Sequence, residues 1–286
     1  MRKIRKRLKI LIVLISAVLL FATLTVGRGL WENDSPTLSR IKLSSIAVPS
    51  AFSGYKIAQI SDLHNCEVSE GNYKVIDILK DACPDIIVVT GDLIDSRKTN
   101  IKIALDFIER ATEIAPVYYA NGNHESRVGE YVDLKRGLIN LGVTVVENQK
   151  IKIIRGDSFI TLIGITDPSF YCEYQSGEEE GYLRKTIEGL IDPSDGFRVV
   201  LSHRPEYFYL YKEYGLDLVF SGHAHGGQFI LPLIGGLYAP GQGAFPDFTQ
   251  GLHTDGKTNL VISRGVGNSA FPFRLNNRPE VVLVEL

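Results

Sequence analysis

Five short blocks rich in metal-ligating side chains lie just past apolar runs: Asp62-Leu63-His64, Gly91-Asp92, Gly122-Asn123-His124, His203 and Gly222-His223-Ala224-His225. Five of the chain's six histidines fall inside them. Asp62, Asp92 and Asn123 follow their runs by a residue or two, and His203 and His223 follow Val199 to Leu201 and Leu218 to Phe220 in the same way. In an open α/β sheet the loops at the carboxyl ends of neighbouring strands converge on one crevice. Ligand-bearing loops on five strand ends therefore demand a fold that gathers those ends, and they describe a polyvalent metal site spread along a sheet.

The rest of the pattern agrees with such a fold. Tyr55 to Ser61, Asp85 to Thr90 and Pro116 to Ala120 read as strands, separated by amphipathic helices over Tyr73 to Ala82 and Ile101 to Ala111 and followed by one over Glu130 to Leu141. Beyond Val143 the pattern shifts to short strands, Lys150 to Ile154 and Phe159 to Ile165, then a polar helix near Gly177 to Gly189. Phe197 to Ser202, Leu216 to Ser221, Leu260 to Ser263 and Glu280 to Leu286 are the remaining strands. Strand–helix alternation predicts largely parallel pairing, and the strand-rich middle and end predict a second sheet. The fold class is α/β, with two sheets face to face and helices outside.

The residue types also fix the chemistry. Asp62 and His64, like His223 and His225, stand at i and i+2, where an extended segment would point them the same way to grip one ion. Imidazole, carboxylate and amide oxygen without thiolate suit a divalent ion such as Mn, Fe, Zn or Co, and do not choose among them. The three cysteines, Cys66, Cys83 and Cys172, form no CxxC pattern and read as small buried apolar residues, Cys66 being the one near a motif. A lone Asp-x-His or Gly-Asn-His-Glu is most often an ordinary loop. All five blocks in order, each where a sheet delivers its loops, are not.

The N-terminus is a separate unit. Six of the first nine residues are basic, and Ile10 to Val26 contains no charge, with Ser16, Thr23 and Thr25 its polar positions. Such a run predicts a membrane anchor over residues 1–27, followed by a juxtamembrane linker over 28–53 and the main domain over 54–286. The basic cluster before the run places the N-terminus in the cytoplasm and the domain outside it. Arg5-Lys6-Arg7 lacks the paired arginines of a twin-arginine signal. Without the six basic residues of the tail, 25 Lys and Arg face 33 Asp and Glu, so the domain is acidic and nucleic acid is not an expected partner.

Taken together, Asp62-x-His64, Gly91-Asp92, Gly122-Asn123-His124-Glu125, His203 and Gly222-His223-Ala224-His225 resemble the calcineurin-like metallophosphoesterases, in order and over nearly all of residues 55–286. Ser61-Asp62-Leu63-His64, the Gly226-Gly227-Gln228 extension and Ser263-Arg264-Gly265-Val266-Gly267 with Arg274 resemble the bacterial membrane-anchored branch, which includes phosphodiesterases and relatives that hydrolyse a UDP-linked acylated glucosamine. The resemblance implies a four-layer α/β/β/α sandwich and two divalent ions. It implies Asp62, His64 and His225 on the first ion, Asn123, His203 and His223 on the second, and Asp92 bridging both. His124 would stabilise or protonate the reacting group without ligating, and Glu125 would orient a neighbour.

Three functions remain at this point: a membrane-bound phosphodiester or pyrophosphate hydrolase, with a lipid or cell-envelope substrate in view; a metal-binding envelope module without turnover; and a metallo-β-lactamase-like hydrolase. The last wants His-x-His-x-Asp-His, whereas His223-Ala224-His225 is followed by Gly226-Gly227-Gln228. Arg264 and Arg274 are candidate phosphate partners, because a guanidinium fork matches phosphate oxygens. Phe229 to Gly251 and Phe271-Pro272-Phe273 would supply an apolar rim near the metals, and His253 is expected on the surface.

Overall fold

The computed structural model describes residues 2–173, 177–268 and 271–286. In chain order the elements are α1 (Arg2–Asn33), β1 (Thr37–Lys42), β2 (Lys56–Ile60), α2 (Tyr73–Ala82), β3 (Ile86–Thr90), α3 (Ile101–Thr112), β4 (Val117–Ala120), α4 (Tyr131–Asn140) and β5 (Thr144–Val145). They continue as β6 (Gln149–Arg155), β7 (Ser158–Gly164), α5 (Glu179–Leu190), β8 (Arg198–Leu201), α6 (Phe208–Glu213) and β9 (Leu218–Ser221). Two small hairpins follow, β10 (Ile230–Leu231) with β11 (Gly235–Gly236) and β12 (Tyr238–Ala239) with β13 (Gly243–Ala244). The chain ends in β14 (Gly251–Asp255), β15 (Thr258–Ile262) and β16 (Glu280–Glu285).

One six-stranded sheet runs β1-β16-β2-β3-β4-β5 and the other β14-β15-β9-β8-β7-β6. Strands β2, β3, β4 and β5 are mutually parallel, as are β7, β8, β9 and β15, so both sheets are parallel at their centres and mixed at their edges. Period-two alternation assigns each side chain to a layer. On β3, Ile86 and Val88 join the core between the sheets, while Ile87 and Val89 face α2, α3 and α4. On β9, Leu218 and Phe220 join that same inter-sheet core, while Val219 faces α5 and α6. The result is the expected α/β/β/α sandwich. Each fully buried Ile, Leu or Val in these layers contributes roughly 1.5–3 kcal/mol.

The helices follow from their apolar spacing. Val75, Ile76, Leu79 and Ala82 of α2, and Ala104, Phe107, Ile108 and Ala111 of α3, repeat at helical intervals and are buried. Asn100 caps α3 by accepting from the Lys102 amide at 3.2 Å. Cys83 caps the other end of α2 in the left-handed conformation. It is therefore exposed rather than buried, with Cys66 and Cys172 half-buried and no cysteine in a metal-binding group among the described residues.

The expected linker is corrected in two ways. Helix α1 does not stop at Gly27 but runs on to Asn33, and its last turn docks on the domain. Glu32 is buried and accepts from the Asn277 amide at 3.1 Å, Asn33 donates to the Pro272 carbonyl at 2.7 Å, and Gly29 lies against the Phe273 ring. Residues Thr37–Lys42 then form β1, parallel to β16 in register from Thr37 with Glu280 to Lys42 with Glu285. An edge strand with Ser39, Arg40 and Lys42 among its six residues shows no clean alternation, and its partner lies some 240 residues away in sequence, so local pattern could not reveal it. The apolar part of α1 packs against nothing in the domain, and α1 is the one helix among the described residues long and apolar enough to cross a membrane.

Candidate active site

Each ligand block sits directly past a strand end: Asp62 and His64 after β2, Asp92 after β3, Asn123 and His124 after β4, His203 after β8, His223 and His225 after β9. Cross-links draw these ends together. The Asp62 amide donates to the Gly91 carbonyl at 3.0 Å, the His64 amide to the Asp92 carbonyl at 3.0 Å, and the Gly222 amide to the His203 carbonyl at 3.1 Å. Between the sheets, Gln59 Nε2 donates to Thr90 Oγ1 at 2.9 Å and to the Ser221 carbonyl at 2.8 Å. Two glycines permit the approach: a Cβ on Gly122 would collide with the Asp92 side chain, and one on Gly222 with Ser61 and Asp62.

The backbone conformation differs from the expected one. Asp62, His64, Asp92, His223 and His225 all have positive φ, between 48° and 66°, rather than lying in extended segments. Non-glycine residues hold such angles at a cost of about 1–3 kcal/mol each, and only where their surroundings fix them. The paired side chains of each Asp-x-His or His-x-His block are therefore aimed by left-handed turns.

Two groups of ligand atoms result, Asp62 with His64 and His225, and Asp92 with His203 and His223, the atoms of each lying within 4.8 Å of one another. In the first, His64 Nε2 and His225 Nε2 are 3.1 Å apart, and Asp62 Oδ1 lies 3.7 Å and 3.4 Å from them. Asp92 Oδ2 joins the groups, 3.2 Å from His203 Nε2 and 3.5 Å from His64 Nε2. Asp92 Oδ1 accepts from the His124 amide at 2.8 Å. Asn123 Oδ1 and His223 Nε2 are buried with no hydrogen-bond partner. Orphaned buried polar atoms each cost about 1–3 kcal/mol, and a set of them beside two carboxylates fits two divalent cations. The cavity they line, about 270 Å³, also carries Ser96, Arg97, Arg127 and Tyr238.

Electrostatics point the same way. Burial raises Asp62, but His225, His64 and His203 draw it down to about 2. Burial likewise opposes ionisation of Asp92, and His203 and His124 hold it well below the usual carboxylate range. Burial depresses His203, yet Asp92 lifts it to about 10; His64 is also raised, against burial, by Asp62 and Asp92. Burial leaves His225 at about 3 and His223 well below the ordinary imidazole value. The two carboxylates thus favour positive charge where cations would stand, and burial keeps His225 and His223 neutral.

Neighbouring residues hold this arrangement. Glu125, fully buried, accepts from the amides of Asp92 at 2.9 Å, Leu93 at 2.8 Å and Gly122 at 2.8 Å, clamping two ligand loops together; burial, then Asp92, pushes it up to about 7. His203 Nδ1 donates to the Thr90 carbonyl at 2.6 Å, which orients the ring with Nε2 facing Asp92. His124 Nδ1 accepts from the Ser96 amide at 3.0 Å, so its ring proton sits on Nε2, and burial lowers its pKa to about 4. A third group, His64 with Asp95 and His124, also has close ligand atoms, but His124 Nδ1 is occupied by Ser96 and Asp95 by Arg97.

The expected phosphate arginines are a correction. Arg274 is buried and spends its guanidinium on the carbonyls of Arg264 and Gly267 and on Asn268 Oδ1. Arg264 pairs with Glu280 at 3.0 Å and lines a different depression, beside β1. Both hold the late loop in shape. Arg97 and Arg127 are the arginines on the metal cavity, a role sequence reasoning missed although each follows a ligand block within five residues. His253, expected on the surface, is half-buried beside Phe248 and outside the site.

The calcineurin-like phosphoesterase family matches residues 55–227, more than half the chain and every ligand block. Among curated proteins the chain is 28% identical to the uncharacterized metallophosphoesterase YkuE of Bacillus subtilis, over 85% of this chain and 83% of that one. It is 30% identical to the uncharacterized metallophosphoesterase YkoQ of the same organism, over 80% and 83%. It is 29% identical to the phosphodiesterase YaeI of Escherichia coli, over 81% and 82%. With the family matched across both sheets and through the last ligand block, the chain belongs to the calcineurin-like phosphoesterases.

Proposed function

We propose that this metal-dependent phosphoesterase hydrolyses a phosphodiester or pyrophosphate bond, on a lipid or cell-envelope substrate. Asp62, His64 and His225 would hold one ion, Asn123, His203 and His223 the other, and Asp92 both. When bound, two such ions would supply Lewis acidity to the phosphoryl oxygens and would lower the pKa of water enough to give a hydroxide nucleophile at neutral pH. The observation that carries the reading is the position of Asp92 Oδ2, within 3.5 Å of a histidine from each group.

The chain's own residues do the remainder. His124, neutral with its proton on Nε2, donates a hydrogen bond to the phosphoryl group and steadies its developing charge. Arg97 and Arg127 face the anionic substrate from the cavity wall. The new P–O bond forms opposite the one that breaks, and the leaving oxygen takes its proton from solvent. Helix α1 spans the membrane, its basic end in the cytoplasm and the domain outside.

The test is hydrolysis of bis-p-nitrophenyl phosphate and of the monoester by the full chain in detergent, metal-free and with Mn²⁺, beside Asp92→Asn. Metal-dependent diester turnover that the variant lacks supports the reading. Two bound ions without turnover of either ester would overturn a general phosphodiesterase and leave either a strictly selective lipid-substrate enzyme or a binding module.

A further inference from the structure

A second cavity, of about 400 Å³, adjoins the metal cavity, and His225, Tyr238 and Pro240 line both. Beyond that common edge its walls are Ala224, Gly227, Phe229, Leu237 and Phe271, with Gln228 the one polar residue, its Nε2 turned to the Phe273 carbonyl. The Phe229 ring stacks edgewise on Phe271 and tilts against Phe273, each at 5.5 Å between centroids. A polar, charged cavity therefore opens sideways into a greasy slot. Neither phosphate nor a metal ion needs that slot.

Its surroundings say what does. Phe271 leads into Pro272 and Phe273, the residues on which the last turn of α1 is docked through Asn33 and Gly29. On its other side Phe229 leads into the β10–β11 hairpin, whose tip exposes Leu233 and Ile234 to solvent. The slot thus lies between the base of an unburied apolar helix and an apolar hairpin tip. We infer that this cavity takes the hydrocarbon chain of a lipid-borne phosphoester, which reaches it from the bilayer that α1 crosses. The inference rests on the proposed phosphoesterase activity and gives its substrate a class. The continuity of slot, docked helix and exposed hairpin favours a lipid chain over a second copy of the protein.

The test uses the full chain in nanodiscs and alkyl p-nitrophenyl phosphates with methyl, butyl and octyl chains. Each methylene that enters an apolar site raises kcat/KM by roughly fourfold at most, so the wild type should climb steeply from methyl to octyl. Leu237→Trp, which fills the slot, and Phe271→Ser, at an exposed wall position, should flatten the series while the methyl ester rate stays within about twofold. A flat wild-type series, or an unchanged slope in both variants, overturns the inference with the activity intact. If the methyl ester itself is not hydrolysed, the activity reading fails and the slot is judged by binding of a dansyl-labelled octyl phosphate. Saturable brightening above that of empty nanodiscs, lost in both variants, then supports a chain site; equal signals in all three proteins overturn it.

Discussion

Asn277 Nδ2 donates to the backbone carbonyl of His225 at 2.7 Å and to that of Gln228 at 3.0 Å, so one side chain from the late loop shapes the turn that aims a candidate ligand. The same residue's amide donates to Glu32 at the end of α1. Outer partners of metal-binding histidines commonly matter by about 10–100-fold in metal affinity or activity. Asn277→Ala should therefore lose Mn²⁺-dependent turnover by that order while Glu32→Ala loses far less, measured as activity against metal concentration. Equal, small effects of both would show that the turn holds itself.

Glu125 offers a test of the loop clamp. Glu125→Ala leaves the buried amides of Asp92, Leu93 and Gly122 without their acceptor, at about 1–3 kcal/mol for each one unmade. The variant should melt several degrees lower, in metal-free protein as well as metal-loaded, by circular dichroism. An unchanged melting temperature in metal-free protein would assign Glu125 to the chemistry alone.

Metal uptake should release protons. At pH 7 the metal-free protein holds a second proton on His203, lifted to about 10 by Asp92 against burial, and an incoming ion must displace it. Affinity should fall as pH is lowered. Calorimetric titration of Mn²⁺ in two buffers of different ionisation enthalpy should give different heats, and identical heats would contradict the assignment.

The same shifts set the pH range of the metal-free fold. His203, raised from 6.5, contributes stability that is complete below 6.5 and is lost as pH rises through about 10. Asp62, depressed from 3.8, contributes stability present above 3.8 and lost as pH falls through about 2. Burial-depressed His225, at about 3, and His124, at about 4, act oppositely to His203: each contributes stability present above 6.5 and lost as pH falls towards its folded value. Stability of the metal-free protein should thus be greatest near 6.5 and decline on both sides, in urea melts across pH. His203→Gln should remove the alkaline slope.

His124 separates chemistry from ligation. His124→Ala should lower kcat by about 10²–10⁴ without changing the number of ions bound, measured by turnover beside elemental analysis. Since burial lowers its pKa to about 4, the wild-type rate should show no loss between pH 7 and 5 from charging of this ring.

The sequence made the site's inventory legible because ligand chemistry is local: each block needs only two to four adjacent residues and a preceding apolar run. It did not show how those residues are aimed. The left-handed turns at Asp62, His64, Asp92, His223 and His225 arise from contacts between loops far apart in the chain, and a reading by strand periodicity placed them in extended backbone. Arg264 and Arg274 misled for a related reason. Arg274 looks like a phosphate ligand by type, yet the carbonyls left over by the Ser263–Asn277 loop consume its donors. Thr37–Lys42 and Gly251–Asp255 went unread because both are sheet-edge strands of mixed polarity, and α6 because six residues show little more than one helical turn.

The docking of α1 has one more consequence. Were the domain on a loose tether, its mouth would sweep a hemisphere and reach solutes well away from the surface. Here the seven residues from Gly27 to Asn33 add about 10 Å of rigid rod and end bolted to the loop that Asn277 anchors. With α1 spanning the bilayer as proposed, the domain can spin with its helix but cannot nod. Its catalytic opening patrols a thin shell at constant height and heading, and lateral diffusion in the leaflet becomes its means of search.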